Sequence, residues 1–338
     1  MKILCAISGG VDSAVAAHLL QKRGYEVVGI HLNLFDGENS EAERAREVAA
    51  KLKIPFYILN FREDFKKKVI ANFLKNYAGN RTPNPCVICN REIKFGKLLT
   101  KMRELKCEKL ATGHFARIRN GRLLRGMDTE KDQSYFLCRL TAAKFSKIIF
   151  PLGGLKKNEV KKIAKKIGME NRSEAKESAG ICFLTDGGVD EFLLKNLPKK
   201  LFRRGKIRAL DGKIVGEHRG LPLYTIGQRR GVELGGMHEP FFVASFNSKK
   251  NELLVAPNVK LFGKKLRVKN LSWLNSPPRN SEKILAQIRY RSPAASGIIF
   301  FGKTGARFEF DSPQRAIMPG QTVAFFQGKT CLGGGEIY

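Results

Sequence analysis

Within 338 residues, Lys and Arg number 62 against 31 Asp and Glu, a formal net charge of +31. The length suggests two or three domains at roughly 100–200 residues each, and a chain 43% hydrophobic and 28% charged is not disordered throughout. So large a cationic excess points to a polyanionic partner, nucleic acid being the commonest, against the alternative of a basic bias spread over solvated surface.

In chain order, the pattern predicts a strand at Ile3–Ile7, a helix at Asp12–Arg23 and a strand at Glu26–Leu34. A helix at Ser40–Leu52 follows, with Ser40 and Glu43 at capping-box spacing. Next come a strand at Phe56–Phe61, helices at Glu63–Tyr77 and Ile93–Leu105, and a strand at Lys109–Thr112. This βαβαβ order predicts an α/β domain: a parallel sheet with helices on both faces and ligands at the carboxyl ends of its strands. Gly79–Pro85 reads as a rigid loop, its two prolines arguing against helix. A lysine-rich helix is predicted from Lys156 to Ile167, then a loop at Asn171–Gly180.

After Pro198 helical periodicity fades and glycines multiply. Leu266–Leu271, Ile284–Tyr290, Gly297–Phe301, Arg307–Phe310 and Gln321–Phe326 read as short strands, spaced as in a small C-terminal β-barrel. The expected division is a catalytic domain over 1–197, a β-rich central domain over 198–256 and a barrel over 257–338. No run approaches the roughly 18 apolar residues of a membrane span. Met1–Ser8 lacks the long apolar core of a signal peptide, and seven scattered cysteines do not form a secreted disulfide framework. These features predict a cytoplasmic protein with no membrane association and mostly reduced thiols.

The sharpest motif is Ser8-Gly9-Gly10-Val11-Asp12-Ser13, between the first strand and the first helix. Glycines let the backbone turn tightly and bring its N–H groups to phosphate oxygens, and the helix adds its positive end. Asp12 would either hold Mg²⁺ or cap the helix. No Gly-Lys-Ser/Thr follows, so this is not a Walker A loop. The plain alternative is a strand–turn–helix without a ligand.

The hexapeptide resembles the PP-loop of ATP pyrophosphatases, which cleave ATP to AMP and pyrophosphate. Further stretches resemble the tRNA-specific 2-thiouridylases: Thr82-Pro83-Asn84-Pro85-Cys86-Val87-Ile88-Cys89-Asn90, Ala111-Thr112-Gly113-His114-Phe115, Gly126-Met127-Asp128, Lys131-Asp132-Gln133-Ser134-Tyr135-Phe136, Gly180-Ile181-Cys182-Phe183, Gly216-Glu217-His218, Thr225–Gly231 and Pro319-Gly320-Gln321. They run through nearly the whole chain in the family's order. Two departures stand out: the loop Phe35–Asn39 is short, and Ser178-Ala179-Gly180 replaces a commoner Ser-x-Gly pattern.

The resemblance implies an ATP-dependent tRNA sulfurtransferase. Adenylation of uridine O2 would make AMP the leaving group, and a persulfide on Cys182 would bring sulfur, with Cys89 as the partner nucleophile that ends in a disulfide with it. It implies ATP at Ala6, Ile7, Ser8, Gly9, Gly10, Val11, Asp12 and Ser13, with Leu32 presenting backbone to adenine and Gly113 also at the nucleotide. Mg²⁺ would accompany the pyrophosphate, with Asp12 as a candidate ligand. Asn84, Pro85 and Cys86 would meet the extruded base of the anticodon stem-loop; His114, Lys131, Asp132, Gln133, Arg289, Tyr290 and Gln321 would approach the tRNA. The sulfur would come from a cysteine desulfurase or a relay protein.

Part of that family has Asp at the position of Cys86. Cys86-x-x-Cys89 is half of a zinc pattern without the other half, and a dithiol pair there would want a helix start that the loop lacks. Related PP-loop thiolation enzymes hold a [4Fe–4S] cluster on a Cys-x-x-Cys and a distant cysteine, so Cys86, Cys89 and Cys182 form an alternative cluster set. Cys5 reads as core; Cys107, Cys138 and Cys331 read as small buried or half-exposed residues. Lys156-Lys157, Lys161-Lys162 and Lys165-Lys166, with Arg203-Arg204, Arg229-Arg230 and Lys264-Lys265, either grip RNA phosphates or form a solvated face. Two other functions stay open: a PP-loop ligase adenylating a small molecule, and a non-catalytic RNA-binding protein.

Overall fold

The computed structural model describes residues 1–35, 40–169, 180–184, 187–232, 234 and 239–338. The expectations for Asp36–Asn39 and for most of Asn171–Gly180, including Ser178-Ala179, lie outside the described residues.

Seven strands belong to the N-terminal part: β1 (Lys2–Ala6), β2 (Glu26–Asn33), β3 (Phe56–Asn60), β4 (Lys109–Ala111), the hairpin β5 (Ala116–Arg119) and β6 (Arg122–Arg125), and β7 (Ile148–Ile149). Five of them form one parallel sheet in the order β3-β2-β1-β4-β7. β1 lies at its centre, with Ile3, Leu4 and Cys5 fully buried, as a strand covered on both faces requires. Strand order reverses beside β1, and the crevice at the carboxyl ends of such strands is where α/β sheets bind ligands. Helix α1 (Val11–Lys22) leaves the end of β1 and packs through the fully buried Ala14, Ala16, Ala17 and Leu20. Helix α2 (Ser40–Lys51) joins β2 to β3, with Ser40 as its first helical residue.

The segment read as a proline-stiffened loop is corrected at its end. Asn84 is an N-cap whose side chain accepts from the Val87 N–H at 3.4 Å, and Pro85 begins the helix Pro85–Cys89. Proline suits a helix's first position because its missing N–H would find no intrahelical partner there. The helix runs on through a wide π-type stretch, Asn90–Lys97, and into Leu98–Glu104. It therefore starts well before the predicted Ile93.

A four-stranded sheet follows, made of β8 (Gly205–Ala209), β9 (Ile214–His218), β10 (Phe241–Asn247) and β11 (Glu252–Pro257) in the order β10-β11-β8-β9. The last part holds β12 (Phe262–Trp273), β13 (Lys283–Gln287), β14 (Ala295–Gly302), β15 (Gly305–Arg315), β16 (Thr322–Gln327) and β17 (Thr330–Ile337). These six close into a barrel because β12 pairs with both β15 and β17. β13 stops at Gln287, so Arg289 and Tyr290 lie in the turn beyond it rather than on a strand.

The N-terminal part grips the barrel directly. β6 joins the barrel sheet by pairing with β17, and the Tyr135 hydroxyl donates to the Thr322 carbonyl at 2.7 Å. Arg125 reaches Gln287 Oε1 at 3.1 Å and stacks 3.6 Å above the Phe326 ring. Among the described residues, no helix is long and apolar enough to cross a membrane.

Candidate active site

The loop after β1 is shaped by Gly9, whose φ of +80° favours glycine, and by lack of room, since a Cβ there would lie 2.7 Å from Arg44 Cβ on α2. Ser13 Oγ clasps the turn, accepting from the Ser8 N–H at 3.1 Å and donating to the Gly10 carbonyl at 2.9 Å. Gly10 is the N-cap of α1 and no side chain caps the helix, so the expectation that Asp12 might cap it is corrected. Asp12 sits in the first turn and pairs with Lys157, Oδ1 to Nζ at 2.6 Å. Ala6 and Ile7 lead into the loop; the Ile7 carbonyl is 3.1 Å from a ring nitrogen of the buried His31. Leu32 is half-buried near the end of β2.

Gly113, just past β4, touches the same loop: a Cβ there would lie 3.0 Å from both Asp12 C and Ser13 N. The next residue, His114, is held by Thr112 Oγ1 at 2.7 Å from Nδ1 and lies between the rings of Phe95 and Phe150. Burial, and then the Lys94 charge, press its pKa down to about 3, so the imidazole is neutral.

The three thiols of Cys86, Cys89 and Cys182 share with His114 the charge of Lys94. Cys86 and Cys89 occupy the first turns of the helix that starts at Pro85, and Cys89 is buried. Cys182 is exposed, while Phe183 anchors it by packing against Phe65, Phe73 and Phe192 with centroids 5.7, 5.3 and 5.2 Å away. The Cys182 thiol feels the charges of Cys89, Lys94 and Cys86, and of Glu41 at the start of α2. Two cysteines far apart in sequence thus share one electrostatic neighbourhood, beside the elements that carry the glycine turn. Crowding by protein pushes Cys182 up to about 12 and Cys89 to about 11, and burial also raises Cys86. Both catalytic candidates are therefore neutral free thiols near pH 7. The remaining cysteines, Cys5, Cys107, Cys138 and Cys331, are buried.

Of the residues expected at tRNA, Asn84, Arg289 and Tyr290 come together. Tyr135 interacts with Asn84, Arg289 and Cys86, and the Phe136 and Tyr290 rings stack with centroids 4.3 Å apart. The turn before Gln321 braces the 79–85 segment, the Pro319 carbonyl accepting from the Thr82 N–H at 2.9 Å. Asp132 instead faces inward: it is 7% exposed and accepts from Arg125, the Gly126 N–H and Ser134. Gln133 accepts from the Phe115 N–H at 3.0 Å, while half-buried Lys131 donates its backbone N–H to Asp128. Asp132 and Gln133 thus shape the site from behind.

Lys94 and Lys157 escaped the sequence reading. Lys94 is the cation common to Cys86, Cys89, Cys182 and His114. Recognising Asn84-Pro85 as cap and first helical residue would have put Lys94 on the cysteine helix. Lys157 was grouped with surface lysines, but its side chain is 11% exposed. It lies on the buried stripe with Val160 and Ala164, and that spacing was legible.

For Mg²⁺, Asp12 offers one carboxylate, which suits an ion held mainly by phosphates and water. The cluster alternative fits less well: among the described residues, no group of three or more His, Cys, Asp or Glu side chains could hold a metal ion.

A parallel sheet carrying this glycine loop at the end of its central strand defines a PP-loop protein of the HUP class. Family models match in sequence: a tRNA methyl transferase HUP domain over 1–186, a tRNA methyl transferase PRC-barrel domain over 190–257 and an aminomethyltransferase beta-barrel domain over 263–337. The tRNA-specific 2-thiouridylase MnmA of Alkaliphilus oremlandii is 41% identical over 356 residues, covering 99% of this chain and 96% of that protein. Those of Chlamydia trachomatis and Bacillus subtilis are 41% and 40% identical, each across 99% of this chain and 97% and 94% of their own. The chain belongs to the tRNA-specific 2-thiouridylase family. Among solved structures, the U34-tRNA thiolase NcsA from Methanococcus maripaludis with its [4Fe–4S] cluster overlaps 50% of this chain and 58% of its own, at 24% identity and a TM-score of 0.38.

Proposed function

We propose that the protein is an ATP-dependent tRNA sulfurtransferase that converts the wobble uridine of an anticodon loop to 2-thiouridine. The observation that carries this reading is that Cys89, Cys182 and His114 all feel the charge of Lys94, while Gly113, next to His114, packs against Asp12 and Ser13 of the glycine loop.

ATP lies along Ala6–Ser13, where the turn and the start of α1 direct backbone N–H groups at its phosphates. When bound, Mg²⁺ would neutralise the departing pyrophosphate, with Asp12 as its protein ligand. Uridine O2 attacks the α phosphorus and pyrophosphate leaves. The terminal sulfur of a Cys182 persulfide then attacks C2 and expels AMP. Cys89 attacks Cys182 Sγ, which breaks the bond to the delivered sulfur, leaves the thiocarbonyl and forms a Cys89–Cys182 disulfide. A thiol reductant returns both cysteines to their free state. Near Lys94 the thiolate that each attack requires is favoured, offsetting part of the cost of burial.

The extruded uridine lies by Asn84, Pro85 and Cys86, with Arg289 and Tyr290 closing from the barrel and His114 opposite. An anticodon loop makes that extrusion inexpensive, since its bases are unpaired. The net charge of +31 serves the RNA backbone. A cysteine desulfurase or relay protein in the cytoplasm loads exposed Cys182.

The test is nucleoside mass spectrometry of tRNA incubated with enzyme, ATP, Mg²⁺ and a sulfur donor. The expected product gains 2-thiouridine in step with AMP release, and both Cys89→Ala and Cys182→Ala abolish it. AMP release with a small acid and no tRNA would replace this reading with a ligase.

A further inference from the structure

A cavity of about 520 Å³ lies where the two helical runs of the N-terminal part meet the barrel. None of the three site thiols lines it. It reaches the cysteine helix through Asn84, the N-cap, and Ile88. Its size falls within the roughly 300–1,000 Å³ typical of small-molecule sites, and its walls are polar, with Asn76, Asn84, Arg91, Arg139, Asn270 and the carboxylate of Glu336 among them.

Arg139 is the unusual wall residue. It is 8% exposed, and only its Nη2 is placed, donating to the Asn270 carbonyl at 3.1 Å. Its buried Nε has no hydrogen-bond partner, and no described carboxylate forms an ion pair with it. The nearby acids are engaged elsewhere: Glu92 with Arg91 at 2.7 Å, and Glu336 with Lys269 at 3.3 Å and Asn270 Nδ2 at 3.2 Å. A buried donor left unmet is costly, so such a group calls for an acceptor, and a guanidinium calls for an anionic one. The asparagine amides offer both donors and acceptors, which suits the edge of a nucleobase.

We propose that this cavity is a second nucleotide pocket, which takes a nucleotide adjoining the uridine under modification, its phosphate accepting from the Arg139 guanidinium. The proposal rests on the tRNA reading above. Asn84 both lines the cavity and caps the helix that carries Cys86, so a nucleotide in the cavity sets the register that leaves its neighbour at Cys86. The shared chemistry is a nucleoside phosphate, which could come from RNA or from a free nucleotide.

The experiment measures binding of an anticodon stem-loop by fluorescence anisotropy across a salt series, for wild type, Arg139→Gln and Asn72→Trp. The first variant removes the donor; the second fills the cavity from its half-buried wall and leaves the guanidinium in place. Both are expected to weaken binding on the order of tenfold, with ATP affinity and melting temperature held. Arg139→Gln should also flatten the slope of log K against log salt by about 0.7, the share of one single-strand phosphate contact. Should Arg139→Gln fail to fold, Asn72→Trp decides. Wild-type affinity in both variants overturns the pocket and leaves the tRNA reading standing. A wild type that does not bind the stem-loop overturns both. Arg139-dependent binding of uridine monophosphate or inorganic phosphate, with stem-loop affinity unchanged in the variants, overturns the RNA assignment in favour of a free nucleotide.

Discussion

Lys157 Nζ lies 2.6 Å from Asp12 Oδ1, tying a helix late in the N-terminal part to the first turn after the glycine loop. The same residue's backbone N–H donates to Asp128 Oδ2 at 2.8 Å, and Asp128 Oδ1 accepts from the Glu130 and Lys131 N–H groups. The nucleotide loop and the Lys131–Gln133 segment are thus fastened to one lysine. Lys157→Met should lower stability by about 1–3 kcal/mol, because it removes a close cation from a half-buried carboxylate. Pyrophosphate release should fall at least tenfold. In a double-mutant cycle with Asp12→Asn, thermal unfolding should give a coupling of about 1 kcal/mol or more.

The two loop glycines should respond differently. Gly9→Ala meets both a φ of +80° and a 2.7 Å approach to Arg44 Cβ. It should cost about 1–3 kcal/mol and abolish detectable ATP binding by calorimetry. Gly10 is extended at φ −85°, and a Cβ there would be 3.6 Å from Ser8 Oγ. Gly10→Ala should keep the fold, with at most a small loss of stability.

Thiol chemistry offers a pH test. With Cys182 near 12 and Cys89 near 11, both are protonated at pH 8. Iodoacetamide attacks only the thiolate, so each rate should rise close to tenfold per pH unit between 8 and 10. Peptide mapping should find exposed Cys182 modified before buried Cys89.

His114 sets an acid limit. Its pKa falls from 6.5 to about 3 on folding, so the unfolded chain binds the proton first. The stabilisation is complete above pH 6.5 and is lost as pH falls toward 3, at up to about 1.4 kcal/mol per pH unit. His114→Gln should flatten this part of a stability–pH profile from urea unfolding.

Much of this was legible in the sequence. Ile3–Ile7, the glycine turn and the next helix are contiguous, and local sterics with hydrophobic period decide such elements. Helix Pro85–Cys89 is hidden in the sequence because Pro83 and Pro85 look like breakers, although Pro85 sits where its lost N–H costs nothing. Asp132 reads as a surface contact in the sequence, because a charged residue in a polar run gives no sign of a turn folding around it.

By itself the sequence determined the order of strands and helices, the glycine loop and the positions of the reactive thiols, since each depends on neighbours along the chain. Only the tertiary structure decided that Cys182 and Cys89 come under the charge of one lysine, Lys94, that Lys157 turns inward to Asp12, and that Arg139 lies buried at a polar cavity. The reason is physical: these meetings come from sheet order, aromatic anchoring by Phe183 and closure of the barrel against β6, and none of these is encoded by local spacing.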